Sequence, residues 1–203
     1  MIGKGKVSQN GLMKKYAYTG DDLLYLKSIY KSLGINYPKF YKMDPLCKLA
    51  FLSGEFLLEG IDLKSKYDPS QIALVFSNSA SSLFTDINHT NTILDPDQYF
   101  PKPAVFVYTL PNIMLGELSI RHTLKGENVF FVSRQFDAGF MSEYTHDLLN
   151  TTRLKACIVG WVDYLDQGFE SAMFLIENMD AAKCGDLLSP ENLEEKIHTF
   201  ANL

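Results

Sequence analysis

Cysteine is scarce in this chain. Cys47, Cys157 and Cys184 are its only three, and they stand far apart. An odd, sparse set makes no disulfide framework and suits a reducing compartment. Excess positive charge is missing too. The formal net charge is -5, which excludes the broad basic face of a nucleic-acid binder. No apolar run approaches the ~20 residues of a membrane span. The first residues, "MIGKGKVSQNG", carry lysines with no apolar core behind them, so they do not read as a signal peptide. The expectation is a cytoplasmic protein. Repeats and low-complexity tracts are absent as well.

Several chemistries lack their signatures. His89, His122, His146 and His198 show no ligand spacing, so no metal and no cofactor are expected. "GELSIRHTLKGEN" has glycines but not the phosphate-loop pattern. No Gly-x-Ser-x-Gly elbow exists. Ser133, Asp137 and His146 supply only the letters of a hydrolase triad, because Asp137 and His146 stand nine residues apart on one expected helix. Cys157 falls inside a strand-like apolar run, where cysteine behaves as a small hydrophobe.

What is present is a core. Hydrophobic residues make up 46% and charged residues 21% of the 203 positions, the balance of a globular protein. Residues 1–20 are polar and Gly/Lys-bearing, and are expected to be loosely held. Asp21 to Gly34 carries Leu23, Leu24, Leu26, Ile29, Tyr30 and Leu33 at helical spacing. "DPLCKLAFLSGEFLLEG" predicts a helix capped by Asp44, opened by Pro45 and stopped by Gly60. Ile72 to Phe76 is continuously apolar and predicts a buried strand. Prolines around Val105 to Val107 predict an extended segment. Asn112 is placed to cap a helix to about Leu124. "VFFV" (129–132) predicts a strand and Asp137 caps the helix after it. "LKACIVGWVDY" and "ESAMFLIEN" predict two adjacent, antiparallel strands. Ser189 and Pro190 open a last helix. Strands alternating with helices predict an α/β layered fold.

The order of these segments, with their particular words, resembles the N-terminal half of a β-ketoacyl synthase of the thiolase-like superfamily. The likeness starts at "FYKMDPLCKLAFLSGEFLLEG" and continues through "TLPNIMLGELSIRHTLKGENVFFVS". It resumes at "LKACIVGWVDY" and "ESAMFLIENMDAAKCG", spanning about residues 38 to 186. It implies one thiolase-like half, residues 21–203, with a mixed five-stranded sheet between helices.

The departures shape the implied function. In that family Val-Ser is followed by a Thr-Ala-Cys-type turn whose cysteine, at a helix N-terminus, accepts the acyl group. Here Ser133 is followed by Arg134, Gln135 and Phe136, and Phe136 stands at the cysteine position. A phenyl ring cannot form a thioester. A register shifted by one puts Gln135 there instead, similar to the chain length factors of aromatic polyketide systems, which do not catalyse condensation. The family's histidines and lysine belong to a second half beyond the likeness. The resemblance therefore implies a catalytically silent accessory protein of fatty-acid or polyketide synthesis, polyenes included. Its implied partner is a second copy (homodimer) or a full synthase (heterodimer), with an acyl carrier protein as a further one. Family dimers join at the strand matching "VFFV". The implied partner and acyl-pocket contacts are thus Val129, Phe131, Val105, Phe106 and Thr109. Two rival readings stay open: a stand-alone acyl-binding module, and an acyl-thioester enzyme with an unrecognised residue set.

Overall fold

The computed structural model describes residues 1–94, 97, 100–165 and 168–177. The proposed last helix, Cys184 and His198 lie outside them. Among the described residues seven strands form one mixed sheet in the order β3-β2-β1-β7-β6-β4-β5. The strands are β1 (Ile2–Gly3), β2 (Lys6–Gln9), β3 (Leu12–Lys15), β4 (Ile72–Asn78), β5 (Asn128–Val132), β6 (Ala156–Leu165) and β7 (Gly168–Glu177). The helices are α1 (Asp22–Ser32), α2 (Pro45–Leu58), α3 (Leu63–Lys66), α4 (Leu83–Thr90), α5 (Pro103–Phe106), α6 (Ile113–His122) and α7 (Ala138–Thr151).

β4 lies between β5 and β6, parallel to both, and β6 pairs antiparallel with β7 as expected from their short connection. Alternation along β4 sorts its side chains to two cores. Ile72, Leu74 and Phe76 join a large cluster with α1, α2 and α6. Ala73 and Val75 join a smaller one with Met141 and Leu149 of α7. α2 is buried almost throughout, including Leu49, Ala50, Phe51 and Leu52. Its start is the one the sequence predicts. Asp44 accepts a bond from the Cys47 amide at 2.8 Å, and Pro45 occupies the first turn. Gly126, in the Lys-Gly turn before β5, has no room for a side chain: a Cβ there would lie 2.3 Å from the Ile72 carbonyl oxygen.

Seven strands replace the expected five for two reasons. Residues 1–20 hold three of them. Asn10 and Gly11 both have positive φ, at 50° and 79°, and close a two-residue hairpin between β2 and β3. Ile2 and Val7 are fully buried. The segment Val105 to Val107, expected to be extended, is instead helical. Pro103 sits at the first helical position of α5, where proline's fixed φ starts a helix rather than preventing one. Leu24, placed on the apolar stripe of α1, is exposed; Tyr25, Leu26, Ile29 and Tyr30 form the buried face. Among the described residues no single helix is long and apolar enough to cross a membrane. A bent pair, Pro103–Thr109 with Ile113–His122, passes that test only when joined across a 99° break.

Candidate functional site

Because β4, β5 and β6 run parallel, their carboxyl ends share one side of the sheet, the usual place for ligands in α/β folds. The turn that interrupts "VFFVSRQFDAGF" lies there. The Ser133 amide donates to the Asn78 carbonyl at 3.0 Å, carrying the β5 end onto the β4 end. Ser133 Oγ donates to the Gln135 carbonyl at 2.8 Å, so its hydroxyl closes the turn. Arg134 and Gln135 are exposed. Asp137 caps α7 by accepting from the Phe140 amide at 2.9 Å, where a carboxylate also suits the positive end of the helix.

Phe136 precedes this cap and is half-buried. Its ring meets Trp161 edge-on at 6.4 Å. It belongs to the same apolar cluster as Met141, the relation of a hydrophobic staple across a helix start. The Trp161 indole in turn donates to Glu170 at 2.8 Å.

The loop after β4 gathers the other expected contacts. Asn78 is fully buried and bonds both backbone groups of Ser81, at 2.7 and 2.9 Å. Asp163 of β6 accepts from the Ser79 hydroxyl and, at 3.3 Å, from the Ser79 amide. Ser82 Oγ donates to the Thr109 carbonyl at 2.9 Å. One short loop, residues 78–82, therefore touches both the turn after β5 and the segment 105–109. Sequence reasoning did not single out Asn78, Ser79, Ser82 or Asp163. The Ser/Asn-rich run "FSNSASS" after an apolar strand was the available signal.

On its outer side this end of the sheet is apolar. Phe106 and Val132 are 57% and 59% exposed, and Val107 and Leu110 are exposed as well. Val105, Val129, Phe131 and Thr109 are partly exposed. Phe131 packs against Phe140 and Tyr144 of α7, with centroids at 4.8 and 5.1 Å.

No family model matches the sequence, and no curated protein matches it. Solved structures do. The ishigamide ketosynthase/chain length factor superposes with a TM-score of 0.63 at 20% identity, over 82% of this chain and 50% of that one. A type II PKS acyl-carrier protein in complex with its ketosynthase (AntDE:AntF) gives 0.53 at 16%, over 72% and 47%. The ketosynthase ApeO in complex with its chain length factor ApeC, from Xenorhabdus doucetiae, gives 0.51 at 13%, over 86% and 68%.

The chain has the ketosynthase fold. It spans about half the length of the first two of these structures. The turn from Ser133 to Phe136 holds no thiol. Cys157 is fully buried on β6, and burial pushes its thiol up to about 12. Cys47 is equally buried, and burial followed by the nearby Asp44 carboxylate raises its thiol well above the ordinary range. Both stay protonated at neutral pH. The triad letters do not assemble: Asp137 is spent on its cap, and exposed His146 bonds Asn150 at 2.7 Å. Among the described residues no three His, Cys, Asp or Glu side chains cluster as metal ligands. A cavity of about 320 Å³ lies among the C-terminal ends of α1, α2 and α6, lined by Leu33, Leu58, Glu55 and His122. None of the turn residues lines it.

Proposed function

We propose that this chain is a catalytically silent ketosynthase-like accessory protein, and that it pairs through β5 with a second copy or with a full β-ketoacyl synthase of polyketide or fatty-acid synthesis. The observation that carries the reading is the turn Ser133–Phe136. It occupies the carboxyl end of β5 in a ketosynthase fold, its serine is turned inward to its own backbone, and Phe136 closes it against Trp161. On this reading an apolar staple takes the place where the family holds an acyl group covalently.

Pairing has its own support. Among the described residues β5 is the last strand of the sheet, bonded on one side only, and the loop after β4 joins its end to the segment that carries exposed Phe106. An uncovered apolar edge invites another strand. Val129 and Phe131 would supply the centre of that contact, and Val105, Phe106 and Thr109 its reach toward a partner's acyl pocket. An acyl carrier protein is the further partner this reading admits.

The test is condensation. The 203-residue chain, incubated with acyl- and malonyl-loaded carrier protein, should yield no β-ketoacyl product. The same should hold for Phe136→Cys, although that variant should gain alkylation by iodoacetamide at the restored helix start. Turnover by the wild type that is lost in Cys157→Ala would overturn the reading. So would condensation by Phe136→Cys alone.

A further inference from the structure

α2 ends against the rule for helix ends. The carboxyl end of a helix carries partial negative charge and favours a cation in its last turn. α6 follows the rule with Arg121 and His122, and α1 with Lys31. α2 has no basic residue there. It carries Glu55 in that turn and Glu59 as its C-terminal cap. Both glutamates line the cavity of about 320 Å³ among these helix ends, and the chain after α2 adds a third carboxylate to the wall, Asp62.

The positive charges nearby are committed elsewhere. Arg121 grips Glu55 through two bonds, at 2.6 and 2.9 Å, and lies over the Tyr37 and Phe51 rings. Lys64 is part of the wall, but its ammonium donates to the Thr123 hydroxyl at 3.1 Å. Lys14 stops at the Gln9 side-chain oxygen, 3.4 Å away. His122, also in the wall, stays neutral at pH 7, because burial holds it below the ordinary histidine range. Glu59 and Asp62 form no ion pair among the described residues. Glu59 accepts from the Gln9 side-chain amide at 2.8 Å, and Asp62 from the Ser65 amide at 3.3 Å, each through one oxygen. A carboxylate accepts at two oxygens, so each has a second one to offer. Leu33, Leu58 and Leu63 make much of the remaining wall apolar. The volume is at the lower end for small-molecule sites.

We infer that this cavity binds a primary alkylammonium, a small protonated amine on a short apolar chain. An ammonium has three donors and no acceptor, which suits Glu59 and Asp62 beside the negative end of α2. The alkyl chain suits the leucines. A carboxylate of equal length meets three acids and is repelled, and a neutral alcohol gains only the apolar part. The site is independent of the proposed pairing: no residue of the turn 133–136 or of β5 lines it.

The experiment is isothermal titration calorimetry of the full chain at pH 7. n-Hexylamine should bind, and n-butylamine more weakly by about fourfold for each methylene removed. 1-Hexanol should bind about fivefold more weakly than n-hexylamine, and hexanoate more weakly still. Glu59→Gln/Asp62→Asn should weaken n-hexylamine by about fivefold, and Glu59→Gln alone by less. Glu143→Gln/Asp147→Asn, the same charge change on the exposed side of α7, should weaken it by less than about twofold. Ile61→Trp, which adds bulk to the cavity wall, should remove most of the binding while circular dichroism stays unaltered. No binding of n-hexylamine would overturn the inference. So would equal binding of the amine, the alcohol and the acid, equal weakening by the two carboxamide doubles, or binding that survives Ile61→Trp intact. Tighter binding of Nα-acetyl-lysine amide than of n-butylamine would overturn the assignment to a free amine and place a protein's lysine side chain in the cavity.

Discussion

The sheet has two edges, and they are built differently. β3 ends in Lys14 and Lys15, and all four of its residues are exposed. Lysines on an edge strand discourage further pairing, because a docking strand would bury their charge. β5, at the other edge, reads Asn-Val-Phe-Phe-Val with no charge at all, and Val129, Phe130 and Phe131 are only partly covered. Among the described residues one edge is closed by its side chains and the other is left open. An open apolar edge is a liability that a monomer would be expected to blunt. Its presence beside a lysine-bearing edge in the same sheet is the physical support for the proposed pairing through β5.

The largest expected effect removes both edges together. Phe76, at the centre of β4, is fully buried. Phe76→Ala should lower stability by about 3–5 kcal/mol, measured by urea denaturation, because it empties the core on which both edges rest. A smaller change exchanges the edges' character. Val129→Lys with Val132→Lys gives β5 the lysines of β3. Assembly should be lost by mass while the monomer's stability falls by only about 1 kcal/mol. A fall comparable to that of Phe76→Ala would show that β5 belongs to the core rather than to an interface.

A further titratable group, His122, ends α6. Burial holds His122 below the ordinary histidine range, with Glu55 partly opposing at 3.4 Å. The unfolded chain therefore binds a proton at higher pH than the folded one. The stability so conferred is present above about pH 6.5 and is lost as pH falls toward the depressed folded value. His122→Gln should flatten that acid limb, read as melting temperature between about pH 7 and 5. The smallest effect is expected at β3. Lys14→Val with Lys15→Val should leave the melting temperature within about a degree or two and raise the rate of aggregation on standing, followed by light scattering.

Much of this arrangement was legible in the sequence. Asp44 with Pro45, Asp137, and the apolar runs 72–76, 129–132 and 156–159 mark elements that form where expected, because each carries a local signal that tertiary packing reinforces. What was missed depended on context. Asn10-Gly11 is a hairpin signal, but its strands are short and rich in lysine, and only burial of Ile2 and Val7 makes them strands. Pro103 is compatible with an extended chain or a helix start, and the packing of Tyr108 under α6 selects the helix. The contact of Ser79 with Asp163 joins residues 84 positions apart, which no local pattern announces. The turn at 133–136 was readable as lacking a thiol. That Phe136 fills it by packing on Trp161 required the fold.

The most direct measurement of the central claim is the mass of the wild-type chain and of Phe131→Asp by light scattering coupled to size exclusion, each alone and with a co-expressed full-length β-ketoacyl synthase, with Lys14→Glu as the opposite-edge control. Phe131 points its ring at Phe140 and Tyr144 beside the open edge. An interface of this kind buries ~2,000 Å² or more around an apolar centre. A dimer, or a stable complex with the synthase, is expected for the wild type and for Lys14→Glu. Phe131→Asp should be monomeric or insoluble, because an unpaired buried carboxylate costs several kcal/mol. A wild-type chain that runs as a monomer, ignores the synthase and is unaltered by Phe131→Asp would contradict that claim.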